Sequence, residues 1–387
     1  MNILMVSDVY FPRVNGVSSS IRTFGCELKR LGHAVTIVAP DYGDNGDEHA
    51  EFDMVRLPSR TIFFDPEDRL IRASAINGAV ERLSTRDWDV VHIHTPFRAH
   101  QLGVKLACRL GKRTVESYHT FFEEYAGHYL PWLPKRLSRF AARYFSRSVC
   151  HGVDHLIVPS DEMTHVLQRY GITTPSSVIP TGIHPEEFRG GDGLRFRRAH
   201  GIGDDQPTIV TVSRLSAEKN IGFLLDVARV LIEKFSRLVF ILAGEGPDAE
   251  RLKRHAERIG LKEHVVFVGN LDRRTQLLDC YKAGDVFVFA SPTETQGLVL
   301  LEAMSLGVPI VSTAVMGTAT VLRDARSARV SAENVGEFAA NVAVLLRSGA
   351  ERKRLSEAGP RDAETWSAPV LMEKVVALYR RLSAGTS

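Results

Sequence analysis

HPEEFRGGDGLRFRRAHGIGDDQP, residues 184–207, is where the chain changes character. Glycine and charge dominate it, and it holds only a short helical piece. Upstream, short apolar runs alternate with segments of helical period. The runs are NILMVSD (2–8), AVTIVAP (34–40), DVVHIH (89–94), RTVESYH (113–119), HLIVPS (155–160) and SSVIPT (176–181). A helical pattern such as VSSSIRTFGCELKRLG (17–32) lies between several of them. Downstream the alternation restarts with TIVTVSRL (208–215), RLVFILAGEG (237–246), HVVFVGN (264–270), DVFVFAS (285–291) and VPIVST (308–313).

Strands alternating with helices predict βαβ units and parallel sheets. The pause then reads as a hinge between two α/β, Rossmann-like domains, expected at 1–186 and 187–367. The last helical stretch, APVLMEKVVALYRRL (368–382), is expected as a C-terminal helix within 368–387 that packs across either domain. Open α/β sheets bind ligands beyond the carboxyl ends of their strands. Two such sheets facing each other would set the site in the cleft between them.

A chain of 387 residues suits two domains of ordinary size. Its formal charge of +3 is too small to argue for nucleic acid, and no nucleic-acid partner is expected. Cys26, Cys108, Cys150 and Cys280 are scattered without a CxxC pair. That spacing favours reduced thiols in a cytoplasmic protein over a disulfide framework or a zinc site. MNILMVSDVYF at the N-terminus reads as a first strand, not a signal peptide. No apolar run approaches the ~20 residues that span a bilayer, so any membrane contact is expected at the surface.

Five stretches carry candidate chemistry. In SDVYFPRVNGVSSS (7–20), Asn15-Gly16 precedes a serine-rich helix start, where free N–H groups and the helix dipole could meet an anion. On that loop alone, an ordinary βα turn with a serine cap is the better reading. In VSRLSAEKN (212–220), Arg214 and Lys219 would suit a pyrophosphate, or Glu218 could simply balance Lys219 in a solvated loop. GEGPDA (244–249), with Asp272 roughly 20 residues on, matches a dinucleotide fingerprint. Pro247 at the helix start and the unit's second place in its domain argue against that reading. In ESYHTFFEEY (116–125), His119 stands at a strand tip, where a functional and a structural histidine are equally expected. His92 and His94 share a strand face and, with no third ligand nearby, read as packing and not as a metal site. The fifth stretch, SPTETQGLVLLEAM (291–304), sets Glu294 on a loop and Glu302 about two turns into the following helix. Eight residues advance a helix roughly 80° beyond two full turns, so both carboxylates can look into one site and accept paired hydroxyls. Gly297 and the adjacent Leu298 would let backbone approach a ligand closely.

Together these stretches resemble the retaining glycosyltransferases of family 4, with the GT-B fold. The resemblance rests on E-x7-E at Glu294 and Glu302, R-x4-K at Arg214 and Lys219, the Asn-Gly loop, His119 in Y-H-T, and VIPTGI before the hinge. It implies a hexosyltransferase with no tightly bound cofactor, whose donor is a nucleoside-diphosphate sugar (UDP- or GDP-hexose). A divalent cation could stimulate it. Glu294 would bind hydroxyls of the transferred sugar, and Glu302 the ribose. Arg214 and Lys219 would hold the diphosphate and stabilise its developing charge. Gly16 would approach a phosphate or the acceptor, and His119 would sit by the sugar. Donor contacts would also come from Gly297 and Leu298. This chain departs from the family's usual pattern at Asn15, Thr295-Gln296 and His184; the first two departures keep the glycine and put sugar identity in question more than the reaction.

AGHYLPWLPKRLSRFAARYFSRSVCHGV (126–153) contains five Lys or Arg residues and no acidic one. Lys135, Arg139, Arg143 and Arg147 recur every four residues, with Leu133, Leu137, Phe140 and Tyr144 on the other side and Trp132 at the start. That is the pattern of an interfacial membrane helix, though a domain helix with one core face and one solvated basic face fits it too. The HTFFEEY-to-helix stretch also resembles that of bacterial diacylglycerol glucosyltransferases. The expectation is a cytoplasmic enzyme, peripheral at the inner face of an anionic membrane, with a lipid acceptor. A soluble or lipid-linked saccharide acceptor, an NAD-dependent oxidoreductase and a non-catalytic sugar-nucleotide binder remain as alternatives.

Overall fold

Strands β1 (Asn2–Val6), β2 (Ala34–Pro40), β3 (Asp53–Leu57), β6 (Val90–Ile93), β7 (Thr114–Ser117), β8 (His155–Val158) and β9 (Ser176–Val178) form a parallel sheet. Its order is β3-β2-β1-β6-β7-β8-β9, and β4 (Ser59–Ile62) pairs antiparallel with β5 (Asp65–Ile71) beside it in sequence. The computed structural model describes residues 1–13, 15–43, 51–62, 65–119 and 135–384. Among them α1 (Gly16–Arg30), α2 (Ala73–Leu83), α3 (Arg98–Leu110), α4 (Lys135–Cys150) and α5 (Asp161–Arg169) connect these strands. Residues 3 to 6 of β1 are wholly buried, as expected of a strand with helices on both faces. Strand β3 escaped the sequence reading because the charged Asp53 and Arg56 interrupt its apolar run, and an edge strand needs less burial.

The second unit spans Ile183–Ser367. Its parallel sheet has the order β12-β11-β10-β13-β14-β15. The strands are β10 (Thr208–Val212), β11 (Val239–Ala243), β12 (Val265–Gly269), β13 (Val286–Phe289), β14 (Ile310–Ser312) and β15 (Ala328–Val330). The described helices are α6 (Gly193–Ala199), α7 (Ile221–Ile232), α8 (Ala249–Arg258), α9 (Gln276–Ala283), α10 (Leu298–Ser305), α11 (Gly317–Leu322), α12 (Val335–Arg347) and α13 (Gly349–Glu364). Apolar clusters cover both faces of this sheet. The helical piece expected inside 184–207 is present as α6, preceded by a 3-10 turn at Pro185–Phe188.

The chain leaves the first unit after Gly182 and rejoins it at Ala368. Helix α14 (Ala368–Ala384) therefore belongs to the first unit. Its Leu371, Met372, Val375, Val376 and Tyr379 form one stripe at helical spacing and enter the core with Ile3, Met5 and Phe24. In each sheet the first strand has neighbours leading in opposite chain directions, β2 and β6 for β1, β11 and β13 for β10. Those are the topological switch points, where the carboxyl-end loops diverge and leave a crevice.

Candidate functional site

The loops after β10 and β13 leave the second switch point side by side. The β10 loop carries Arg214 and lies on the turn that follows β11. Leu215 donates its N–H to the Glu245 carbonyl at 2.9 Å, and Asp248 donates to the Leu215 carbonyl at 2.9 Å. A Cβ on Gly244 would stand 2.0 Å from the Ser213 carbonyl oxygen, and one on Gly246 would stand 2.3 Å from that of Leu215. The glycines of GEGPDA are thus required by the Arg214 loop resting on them. Asp272, the acidic partner in that fingerprint, accepts instead from the N–H groups of Arg274 and Thr275 and from the Thr275 hydroxyl. Both halves of the dinucleotide pattern have internal partners.

Lys219 ends a 3-10 turn, and Asn220 follows in the left-handed region at φ 55° before α7 begins. The Glu218 carbonyl accepts from the hydroxyls of Ser291 (3.2 Å) and Thr293 (3.4 Å), which stitches the β10 loop to the β13 loop. Across that seam the Lys219 ammonium pairs with Oε1 of Glu294, both side chains being mostly buried. Two residues expected at adjoining parts of a sugar nucleotide, the diphosphate and the sugar, are in direct contact. Arg214 is exposed, and among the described residues its guanidinium has no hydrogen-bond or ionic partner.

Gly297 is buried at φ +81°, a left-handed conformation that turns the loop into α10 and that L side chains rarely adopt. No side chain caps this helix and its first turn contains no acidic residue. The N–H of Leu298 and the positive end of the dipole are what its start presents. Further along, Glu302 is only 5% exposed. Its Oε1 accepts from Nη2 of Arg273 at 2.8 Å, and its Oε2 accepts from the Tyr281 hydroxyl at 2.7 Å. The carboxylate was expected to be open to hydroxyls, yet each oxygen already has one donor, leaving its second lone pair for a ligand. Burial and the adjacent Glu302 push the Tyr281 phenol well above its ordinary pKa, and the Glu302 charge raises that of Arg273.

The sequence reading missed Arg273 and Tyr281. Arg273 follows β12 on a carboxyl-end loop, which was an available signal. Tyr281 lies inside α9, and no local pattern marks it.

In the first unit, Asn15 caps α1. Its Oδ1 accepts from the N–H groups of Val17 (3.0 Å) and Ser18 (2.9 Å), while the Ser18 hydroxyl accepts from the Asn15 N–H at 2.9 Å. This reciprocal capping box takes two of the N–H groups expected to be free for an anion. What the loop retains is Gly16, exposed, where a Cβ would meet no atom within 4 Å. Space at Gly16 is therefore not demanded by the unit's own packing. His119 stands just past β7, with Nε2 3.3 Å from Nδ1 of His94. Burial lowers the His119 pKa to about 4, so the ring is neutral at pH 7. At the end of β1, Asp8 accepts from the Thr95 hydroxyl and the Ala99 N–H, and burial raises its pKa to about 6.

This arrangement of loops can be set against known proteins. Residues 14–187 match the family described as Glycosyltransferase Family 4, and residues 194–362 match Glycosyl transferases group 1. An alpha-monoglucosyldiacylglycerol synthase of Streptococcus pneumoniae (strain ATCC BAA-255 / R6) is 32% identical over 317 residues, 81% of this chain and 71% of that protein. The chain belongs to glycosyltransferase family 4. A second alpha-monoglucosyldiacylglycerol synthase, from Acholeplasma laidlawii, is 26% identical over 80% of each chain. The crystal structure of Anabaena Alr3699/HepE in complex with UDP superposes with a TM-score of 0.77 at 16% identity, covering 99% of this chain and 100% of that one. The glycosyltransferase thus has the GT-B fold, built from two Rossmann-like domains.

Helix α4 of this glycosyltransferase is oriented differently from a helix that buries its large apolar residues. Its buried stripe is Ser138, Ala142, Ser146 and Val149, small side chains at helical spacing, with the Ser146 hydroxyl 2.9 Å from that of Tyr118. Leu137, Phe140 and Tyr144 are 50%, 67% and 70% exposed. Arg136, Arg139, Arg143 and Arg147 are exposed beside them. The reading in which the large apolar residues formed a core face is excluded for these three. Trp132, Leu133 and the stretch from Thr120 lie outside the described residues, as does the side chain of Lys135. No described helix is long and apolar enough to cross a membrane.

Proposed function

We propose that this glycosyltransferase moves a hexose from a UDP- or GDP-linked donor to a lipid hydroxyl, such as that of diacylglycerol, with retention of anomeric configuration. It would work as a peripheral enzyme on an anionic membrane surface. The observation that carries the lipid acceptor is the outward face of α4, where Leu137, Phe140 and Tyr144 stand exposed next to a row of arginines. Exposed aromatics beside cations suit the boundary between headgroups and acyl chains. Two relatives named alpha-monoglucosyldiacylglycerol synthase support the same acceptor, and the UDP in the Anabaena structure supports the donor class.

In this reading Arg214, Lys219 and the Leu298 N–H receive the diphosphate. Glu294, held by Lys219, orients hydroxyls of the sugar, and Glu302 takes the ribose through its remaining lone pairs. Gly16 leaves room for a phosphate or the acceptor, and His119 lies beside the sugar. The bond between the anomeric carbon and the β-phosphate oxygen breaks as the acceptor oxygen bonds to the same face of that carbon. The departing phosphate takes the acceptor's proton, so free nucleoside diphosphate leaves and Glu294 forms no covalent bond. Positive charge fixed where the diphosphate develops charge is the main source of acceleration.

The test is incubation with a panel of sugar nucleotides and vesicles of diacylglycerol with total bacterial lipid, read by mass spectrometry. One UDP- or GDP-hexose should yield a hexosyl lipid, and the anomeric proton coupling should match that of the donor. Product on soluble saccharides alone overturns the lipid acceptor. An inverted linkage overturns retention.

A further inference from the structure

His92 on β6 and His94 just past its end share the sheet face covered by Phe24 of α1 and Tyr379 of α14. Their ring centroids are 3.9 Å apart. His92 is held on both sides, the Tyr379 hydroxyl lying 2.6 Å from Nδ1 and the Ser117 hydroxyl 2.8 Å from Nε2. A buried phenol facing this acceptor donates to it, so Nδ1 of His92 accepts and Nε2 carries the proton toward Ser117. His94 comes next along the row, its ring meeting that of His119 edge to edge, with centroids 5.6 Å apart and planes within 14° of parallel. Its Nδ1 reaches Nε2 of His119, and its own Nε2 is buried with no partner among the described residues.

That orphaned nitrogen decides the tautomers. Were His119 to donate from Nε2, His94 would keep its proton on Nε2, a buried N–H without an acceptor. With His94 donating from Nδ1, its Nε2 has only an unused lone pair, and orphaned buried donors are the rarer and costlier case. Burial keeps both rings neutral at pH 7, His94 being driven well below its ordinary pKa. A neutral His119 that accepts at Nε2 must carry its proton on Nδ1.

We propose that His94 is a positioning residue that holds His119 in the Nδ1–H form, so that the tip of β7 offers a substrate oxygen a hydrogen-bond donor and no base. The proposed function enters only in placing His119 beside the substrate; the tautomer is independent of it. A donor-only His119 also agrees with the departing phosphate receiving the acceptor's proton.

Long-range proton–nitrogen NMR on the full chain with ring-labelled histidine tests the tautomer directly, the His119 signals being assigned by their loss in His119→Asn. An Nδ1–H pattern for His119, replaced in His94→Phe by an Nε2–H form or a mixture, is expected. An Nε2–H pattern in the unsubstituted protein overturns the proposal. In transfer assays His94→Phe should lower kcat about tenfold, roughly one neutral hydrogen bond, at unchanged KM for the sugar nucleotide. His94→Asn keeps an N–H near the position of Nδ1 and should recover to within about threefold. Equal losses in the Phe and Asn variants overturn the positioning role. A fully active His119→Asn enzyme overturns the placement of His119 by the substrate, and the NMR pattern still decides the tautomer.

Discussion

Replacing Glu302 tests the buried half of the proposed donor site without any substrate. Its carboxylate is the acceptor for the Tyr281 hydroxyl at 2.7 Å, and Tyr281 is wholly buried. Arg273, the other donor, has a side chain 70% exposed and can turn to water. The ion pair should therefore add little. The phenol cannot turn to water. Glu302→Ala should orphan a buried O–H and leave a small void, costing about 2–3 kcal/mol. A unit of this size loses roughly 2–4 °C per kcal/mol, so the melting temperature should fall by about 4–12 °C.

The sign of a second substitution makes the reasoning refutable. Tyr281→Phe removes the orphaned hydroxyl, so in the Glu302→Ala background it should restore about 1–2 kcal/mol, whereas alone it should destabilise. Urea melts of the four proteins give the coupling. If Tyr281→Phe destabilises both backgrounds equally, the phenol was not relying on Glu302 and the argument fails. On the functional side, Glu302→Ala should raise KM for the sugar nucleotide with little change in kcat, because ribose contacts are made equally in ground and transition states.

Arg214→Ala should lower turnover by roughly 10²–10³-fold with no shift in melting temperature, since the exposed guanidinium has no partner among the described residues. Lys219→Ala should lose a similar factor, and near-normal turnover in both would return the loop to an ordinary surface role. Serine at Arg139, Arg143 and Arg147 should weaken flotation with anionic vesicles by up to roughly 3 kcal/mol, about a hundredfold, and binding should fall with salt. Indifference of the unsubstituted protein to such vesicles at low salt would make α4 a solvated face only. Acid should destabilise the first unit. His92 and His119 are lowered from 6.5 to about 3 and about 4, so between those values and 6.5 the unfolded chain binds more protons and stability falls with pH. At pH 5 each costs about 2 kcal/mol, while Asp8, raised to about 6, returns about 1 kcal/mol because its folded form takes up a proton there. Urea melts at pH 7.5 and 5 that coincide would refute these buried neutral rings.

The two α/β halves, the hinge and the loops that carry Arg214, Lys219, Glu294 and His119 were legible in the chain because they rest on local regularities. Alternation of period two and period 3.6 needs only a dozen residues to declare itself, and each βα loop follows its own strand directly. The pairings could not be read that way. Lys219 meets Glu294 across 75 positions because β13 lies beside β10, a matter of strand order. Arg273 and Tyr281 reach Glu302 across 29 and 21 positions, and Tyr379 reaches His92 across 287. GEGPDA had the residues of a cofactor loop, and only the backbone of residues 213–215 lying on it revealed what its glycines admit. The wheel of α4 could be drawn from sequence, but not which arc turns inward. Packing decided that, because a neighbouring element accepts whichever stripe fits it closely, and here the small side chains at 138, 142 and 146 fit where Phe140 and Tyr144 do not.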